Sequence, residues 1–473
     1  MVLVNTQVSS DFLNPNFQEL LNLHFGENVI DYNSNLSVSQ KNAFELFKEG
    51  KSLLILGQAG TGKSKLIKTM EEYTRTNTTN FKKMHLCSTT GISAYNIGGV
   101  TIHSFMGVGT GDLEIDALIK KVSKKKVQRE RILNTDILVI DEISMLSANL
   151  FEKLNAICQS IRKNNSFFGG IQVVFTGDVL QLLCVFNKNT SIYKNIDERL
   201  IVESQLFNNT FNNKKGNIIT LTENFRQKDD IIFIDLLSRI RNGTFTKDDV
   251  NLLNTRVLLP EDTSNHLHLV TTNKKAIQIN EIELAKIKTK EIVYKSIYNI
   301  SGNDKDTKDI LTKEIQFQFT QKGLNELTLK VGARVMLIKN LDVSIGLVNG
   351  ALGTITKFIQ DENTKSLVPF VEFDNKTKII ISTCPWELEM DNCKVIATQI
   401  PLMLAYSITI HKSQSLSMDS AILDLSNVFC DHLVYTALSR LRSLNGIYMK
   451  SFDPSKITVN KKMKDFLEQI TLK

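Results

Sequence analysis

The chain has 473 residues, a formal net charge of +7, 42% apolar and 23% charged side chains, the balance of a globular protein with more than one sizeable core. Collagen-like, coiled-coil, mucin-like and wholly disordered classes are excluded, and no apolar run is long enough for a membrane span, so no membrane partner is expected. The six cysteines follow no metal-binding spacing, which leaves zinc and iron–sulfur centres unexpected.

Residues 1–35 are polar and irregular and read as an N-terminal extension, without the pattern of a secretory signal or a mitochondrial presequence. A helix is expected over 39–48. A buried strand at 53–56 follows, ending in the turn Gly57-Gln58-Ala59-Gly60-Thr61-Gly62-Lys63-Ser64. Apolar runs at 137–140 and 171–175 each end within a few residues in an acidic side chain. Short buried strands separated by helical stretches predict an α/β fold with a parallel sheet flanked by helices. The basic stretch at 119–131 reads as a solvated face, a phosphate-contacting element or a nuclear-import signal. Residues 316–395 have denser strands and frequent glycine turns (Val331-Gly332, Asn349-Gly350, Leu352-Gly353-Thr354), which predicts a β-rich insertion before the α/β pattern returns.

The turn at 57–64 matches G-x-x-x-x-G-K-[ST] between a strand and a helix. Its glycines let backbone N–H groups curl around a phosphate, and the helix N-terminus adds partial positive charge. Lys63 would neutralise the β- and γ-phosphates, and the Ser64 hydroxyl would ligate Mg²⁺. Asp141, at a strand end, suits the Mg²⁺ shell, and Glu142 can orient or deprotonate an attacking water. Gln181, just beyond Phe175-Thr176-Gly177-Asp178, can sense a γ-phosphate, because an amide both donates and accepts. Hydrolysis also needs positive charge on the transferring phosphoryl group, for which Arg226 and Arg440 are the candidates. ATP and Mg²⁺ are thus the expected cofactors.

The ordered set of motifs resembles superfamily 1B helicases of the PIF (petite integration frequency) group, related to RecD and the phage Dda-type enzymes. The residues that carry it are Leu36 to Gln40, the turn at 57–64, Thr90 to Phe105, Asp141 to Met145, the run from Leu150 to Gln181, Asn224-Phe225-Arg226-Gln227, Leu347-Val348-Asn349-Gly350, Thr409 to Gln414 and Tyr435 to Arg442. The resemblance implies two RecA-like P-loop domains. The first would span 36–205 with a wedge at about 107–135. The second would comprise 206–315 and 396–473 around a β-barrel-like insertion at 316–395. It implies an ATP-dependent DNA helicase that moves 5′ to 3′ on single-stranded DNA and unwinds duplex in replication, recombination or repair. Gln40 would read the adenine edge and join Gly57, Gln58, Ala59, Gly60, Thr61, Gly62, Lys63 and Ser64 in holding nucleotide. Thr101, His103, Phe105, Thr409, His411 and Lys412 would contact the strand. A monomer is implied, with single-strand-binding or replication proteins as partners and a nucleus or viral replication site as its location. Mitochondrion and cytoplasm are the alternatives.

Three positions depart from the family pattern. Leu183-Cys184 replaces two prolines after Gln181-Leu182, which should loosen that loop and weaken ATP–DNA coupling. Ser415 stands where glycine is usual, and Leu441 replaces a small residue beside Arg440. The competing readings are a RecD-like, DNA-stimulated translocase subunit without autonomous unwinding, and a non-hydrolysing, ATP-sensing DNA-binding regulator.

Overall fold

The computed structural model describes residues 32–471 apart from 78–80, 91–92, 95–96, 110, 185–196, 212–215, 261–262, 264–265, 303–307, 310–311, 313–314, 317–318, 321–323, 340, 343–344, 348–349, 362–364, 391–392 and 415. Most of the expected N-terminal extension lies outside the described residues, as do Gly91, Ile92, Val348, Asn349 and Ser415.

Six parallel strands form the first sheet: β1 (Leu53–Gly57), β2 (Met84–Ser88), β3 (Val100–Thr101), β4 (Ile137–Asp141), β5 (Gln172–Gly177) and β6 (Ile218–Leu221), in the order β3-β2-β4-β5-β1-β6. The central strands are unbroken apolar runs because both faces of the sheet are covered. Alternate residues serve opposite cores. Leu54, Leu56, Leu138, Ile140, Val173 and Phe175 face one cluster, and Leu53, Ile55, Ile137, Val139 and Val174 the other. The helix Ala148–Arg162 closes the first cluster together with the aromatic group of Phe151, Phe168, Phe175 and Phe207. The helices Val38–Lys48 and Lys63–Thr76 close the second. Because β6 pairs with β1, the first lobe continues beyond the expected limit at 205.

The segment expected as a wedge forms two helices, Ile115–Lys124 and Lys126–Leu133. Its apolar side is anchored. Leu118, Val122 and Ile132 enter the first cluster, and Arg162 Nη1 donates to the carbonyls of Ile132, Leu133 and Thr135. Lys120, Lys124, Lys126 and Arg129 face solvent on the other side.

In the second lobe the chain forms β7 (His268–Val270) and then leaves through ten antiparallel strands. These are β8 (Glu291–Lys295), β9 (Ile297–Ser301), β10 (Glu326–Lys330), β11 (Arg334–Leu337), β12 (Leu352–Gln360), β13 (Leu367–Phe373), β14 (Lys378–Ile380), β15 (Cys384–Met390), β16 (Cys393–Gln399) and β17 (Leu402–Leu404). The chain returns as β18 (Ser407–Thr409), β19 (Ala421–Asp424) and β20 (Ile447–Met449), giving a second parallel sheet in the order β18-β7-β19-β20. The β-rich part therefore runs from Glu291 to Leu404, wider at both ends than the expected 316–395. Its first strands, β8 and β9, expose alternate or successive residues and carry little apolar signal. Trp386 is half-buried against Phe319 in an edge-to-face contact at 5.3 Å, as part of that region's small core.

The C-terminal helix Lys461–Thr471 is also reassigned. Expected within the second lobe, it packs on the first, where Met463 and Phe466 enter the core and Lys462 pairs with Glu203. An apolar face suited to either lobe leaves no sequence mark of which one it covers. Among the described residues, no helix is long and apolar enough to cross a membrane.

Candidate functional site

The turn at 57–64 sits where β1 ends and the helix Lys63–Thr76 begins, at the carboxyl edge of the first sheet. Gly60 and Gly62 have φ of 87° and 78°, a region in which an L side chain is strained. At Gly60 a Cβ would also come within 2.7 Å of Arg226. Lys63 Nζ donates to the carbonyls of Gly57 and Gln58 at 2.7 and 2.9 Å, so its charge lies inside the loop. Burial lowers the Lys63 pKa, and the nearby Asp178, Glu142 and Asp141 oppose that shift. Gln40 is fully buried beneath the turn. Its Nε2 donates to the carbonyls of Thr61 and Gly62, and its Oε1 accepts from Ser37 N–H in a capping box. In this geometry Gln40 braces the turn.

Asp141 ends β4 and Glu142 follows it, both at the same cleft. The Asp141 carboxylate accepts from Ser93 Oγ at 3.0 Å and from Thr176 Oγ1. Glu142 has φ 56° and ψ 51°, an unusual conformation for a non-glycine residue at a strand end. Its Oε2 accepts from Gln414 Nε2 at 3.0 Å. Gln181 is buried, with Nε2 toward Asp178 at 3.5 Å and Oε1 accepting from Arg440 at 3.4 Å.

The linker after β6 and the second lobe close the cleft from two sides. The segment after β6 is latched to the turn: Asn224 Nδ2 donates to Ala59 O, and Phe225 N–H donates to Gly60 O at 2.8 Å. Phe225 remains 47% exposed at the mouth, a flat apolar surface beside the phosphate turn. The helix Leu433–Leu438 delivers Arg440 from the other side. The resulting cleft of about 370 Å³ is shared by Lys63, Ser64, Asp141, Glu142, Gln181, Arg226 and Arg440, among others. The structure therefore brings together every expected catalytic side chain.

Two guanidiniums meet at this cleft, Arg440 fully buried and Arg226 half-buried. Arg440 Nε donates to Thr436 O and its Nη2 to Ser439 Oγ and Gln181 Oε1. Arg226 Nη1 donates to Ser439 O at 2.7 Å. Burial pushes the Arg226 pKa down to about 9, helped by the like charge of Arg440, and burial also lowers that of Arg440. These hydrogen bonds run to carbonyls, an amide and a hydroxyl. Two like charges so placed, one of them fully buried, favour an anion between them.

Below the cleft lies a network that the sequence does not announce. Asp178, fully buried, pairs with Arg241 of the helix Ile231–Asn242 at 2.6 Å. Burial alone would raise the Asp178 pKa, but Arg241 and Lys63 hold it below the usual carboxylate range. Tyr435 OH donates to Asp178 Oδ2 at 3.1 Å and accepts from Ala59 N–H at 3.3 Å, joining turn, first lobe and second lobe. Arg241→Ala would strand the Asp178 charge. It is expected to cost about 3–5 kcal/mol of stability, read as a lowered denaturant midpoint, whereas a shift below about 1 kcal/mol would mean the pair is not holding the lobes.

The expected strand contacts divide between the lobes. Thr101 caps the short helix Ile102–Met106, accepting from Ser104 N–H, and His103 is half-buried on that helix. Thr409 ends β18 and accepts from Lys412 N–H, while His411 and Lys412 are half-buried in the turn that follows. Burial lowers the pKa of both His103 and His411. Phe105 is a correction. It is completely buried in the first core, 5.2 Å from His85, and offers no face to a base. The exposed aromatic of this region is Phe429. It is 57% exposed and lies parallel to His411 at 5.9 Å between ring centroids. A single Phe between Val428 and Cys430 carries no sequence signal of that placement.

A family profile described as PIF1-like helicase matches residues 35–251, and one described as the DNA helicase Pif1 2B domain matches 316–358. The ATP-dependent DNA helicase PIF1 of Xenopus laevis is 33% identical over 92% of this chain and 64% of its own length. The chain thus spans a little under two thirds of the first curated relatives it matches. The crystal structure of Pif1 helicase from Candida albicans superposes with a TM-score of 0.81 at 32% identity, covering 93% of this chain and 99% of that one. Pif1 helicase from Bacteroides in complex with ADP-AlF3 and ssDNA superposes with a TM-score of 0.68 at 28% identity, covering 92% of this chain and 96% of that one.

Proposed function

The chain belongs to the PIF1-like helicase family, and from that membership we propose that it is an ATP-dependent DNA helicase that moves 5′ to 3′ along single-stranded DNA and unwinds duplex. The observation that carries this reading is the pair of guanidiniums, half-buried Arg226 and fully buried Arg440, that the linker and the second lobe hold over the phosphate turn of the first. A cleft assembled from two lobes closes when an anion neutralises those charges and opens when it leaves. That is the mechanical requirement of a motor.

ATP would lie with its β- and γ-phosphates against the N–H groups of the turn and Lys63, which would exchange its two loop carbonyls for phosphate oxygens. Phe225 is placed to cover a flat base at the mouth. Glu142 would take a proton from the attacking water, while Gln181, Arg226 and Arg440 stabilise the negative charge on the transferring phosphoryl group. The donor set fits Mg²⁺. Ser64 and Asp141 offer hard oxygens at the cleft, and among the described residues no cluster of acidic, His or Cys side chains would favour a different ion. Bound there, Mg²⁺ would neutralise charge shared between the β- and γ-phosphates.

The strand track would run past the carboxyl ends of β3 and β18, with Thr101, His103, Thr409, His411 and Lys412 toward phosphates and Phe429 toward a base. The test is ATP hydrolysis by the purified protein with and without single-stranded DNA, then unwinding of 5′-tailed and 3′-tailed duplexes. Strong DNA stimulation and 5′-tail-dependent unwinding are expected. DNA-stimulated turnover without unwinding would favour a translocase subunit, and no turnover on any DNA would sink the reading. Phe429→Ala should weaken single-stranded DNA binding by about 1–3 kcal/mol, and an unchanged Kd would remove Phe429 from the track.

A further inference from the structure

Gln414 lies in the turn that follows β18, and its side chain crosses from the second lobe to the catalytic glutamate of the first. The orientation of its amide is chemically determined. An ionised carboxylate only accepts, so the group facing Glu142 Oε2 at 3.0 Å must be the NH₂. The residue is buried, 1% exposed, and its Oε1 has no hydrogen-bond partner among the described residues. A methionine would fill the same space without burying an unpaired carbonyl. Packing alone therefore does not explain an amide at this position.

The turn that carries Gln414 is stiff. Thr409 Oγ1 accepts from Lys412 N–H, Ser413 N–H donates to Thr409 O, Ser413 Oγ donates to Ile410 O, and Gln414 N–H donates to His411 O. A displacement of His411 or Lys412 is thus passed to Gln414 as a body. At the other end the Glu142 backbone is confined. It sits at φ 56° with its carbonyl accepting from Thr89 Oγ1, and a Cβ on the neighbouring Gly177 would touch Ile143 N at 2.9 Å. With the backbone confined, Gln414 holds one oxygen of the Glu142 carboxylate and so constrains where that side chain points.

We propose that Gln414 is a positioning residue for Glu142, through which a strand held by the His411–Lys412 turn brings the carboxylate into line for attack on the γ-phosphate. The inference rests on the helicase reading above. It assigns to one inter-lobe hydrogen bond the stimulation of hydrolysis by DNA. In the step itself the water oxygen bonds to the γ-phosphorus as the bond to the ADP β-phosphate oxygen breaks, one water proton passing to Glu142. Gln414 exchanges no proton and fixes only the angle of the acceptor.

The experiment compares wild type with Gln414→Met and Gln414→Asn, the latter keeping the amide on a shorter stem. For each, kcat with and without oligothymidylate is measured, along with Kd for a non-hydrolysable ATP analogue and for the oligonucleotide. Both variants are expected to lose about 10²-fold in DNA-stimulated kcat. The ratio of stimulated to unstimulated turnover should fall at least ~10-fold, with both Kd values within about twofold of wild type. An unchanged ratio would overturn the inference, as would equal losses with and without DNA, since a merely structural role lowers both rates together. Should Met fail to fold, the Asn variant supplies the same comparison. Failure of wild type itself to respond to DNA would instead refute the helicase reading, an outcome visible before any variant is made.

Discussion

Glu142→Gln should lower kcat for ATP hydrolysis by about 10²–10⁴-fold while leaving nucleotide and single-stranded DNA affinity within about twofold. The substitution preserves volume and shape. The new amide oxygen can still accept from Gln414 Nε2, so the inter-lobe contact at 3.0 Å and the surrounding packing are retained. What is lost is the capacity to take a proton from water. Lys63, Arg226, Arg440 and Asp141, which line the same cleft and in the proposed reading hold the phosphates and Mg²⁺, are untouched. Single-turnover rates at saturating ATP, set against equilibrium binding of a non-hydrolysable analogue, separate these two effects. A rate within threefold of wild type would show that a different group accepts the proton, and the catalytic role of the β4 terminus would have to be given up.

Arg440→Ala is expected to cost about 10³–10⁵ in kcat, the range for removing a guanidinium that stabilises a transferring phosphoryl group. Arg440 is 1% exposed, and its Nε and Nη2 are held by Thr436, Ser439 and Gln181. That clamp fixes the plane of the fork and aims the charge at the cleft. Arg440→Lys keeps a charge but not the fork or the clamp, so it should recover only part of the loss. The measurement is kcat for both variants with the nucleotide Kd determined independently. A Kd raised in proportion with kcat unchanged would reassign Arg440 to ground-state binding.

The parts of this site that were legible in the sequence are those written in consecutive residues. The turn at 57–64 needs its glycines and lysine at set spacings, and Asp141-Glu142 sits directly at the end of an apolar run, so local pattern was enough. The contacts that join the lobes are of another kind. Tyr435 to Ala59, Gln414 to Glu142 and Arg241 to Asp178 each pair residues far apart in the chain, and none has a local signature. Leu182 shows the same limit. It follows Gln181 in the first lobe, yet its side chain is buried in the core of the second. Just before the Leu183-Cys184 departure, Leu182 is anchored in the opposite core and Ser144 Oγ donates to its carbonyl. Phe105 failed for a simpler reason, since a phenylalanine looks alike in sequence whether it stacks on a base or fills a core. The β-rich boundaries slipped because β8 and β9 are exposed and mixed in polarity.

The C-terminal helix, by returning to the first lobe, gives the molecule a second covalent crossing. The chain passes from first to second lobe between Leu221 and Ile231, and back between Met449 and Lys461. Two bodies joined by one tether can swivel freely, whereas two bodies joined by two tethers rock about the line through both. Two crossings would restrict torsion between the lobes and leave one angular coordinate for nucleotide binding to drive. A dye on the C-terminal helix would consequently report the first lobe, not the second, and would stay at fixed distance from the phosphate turn throughout a stroke.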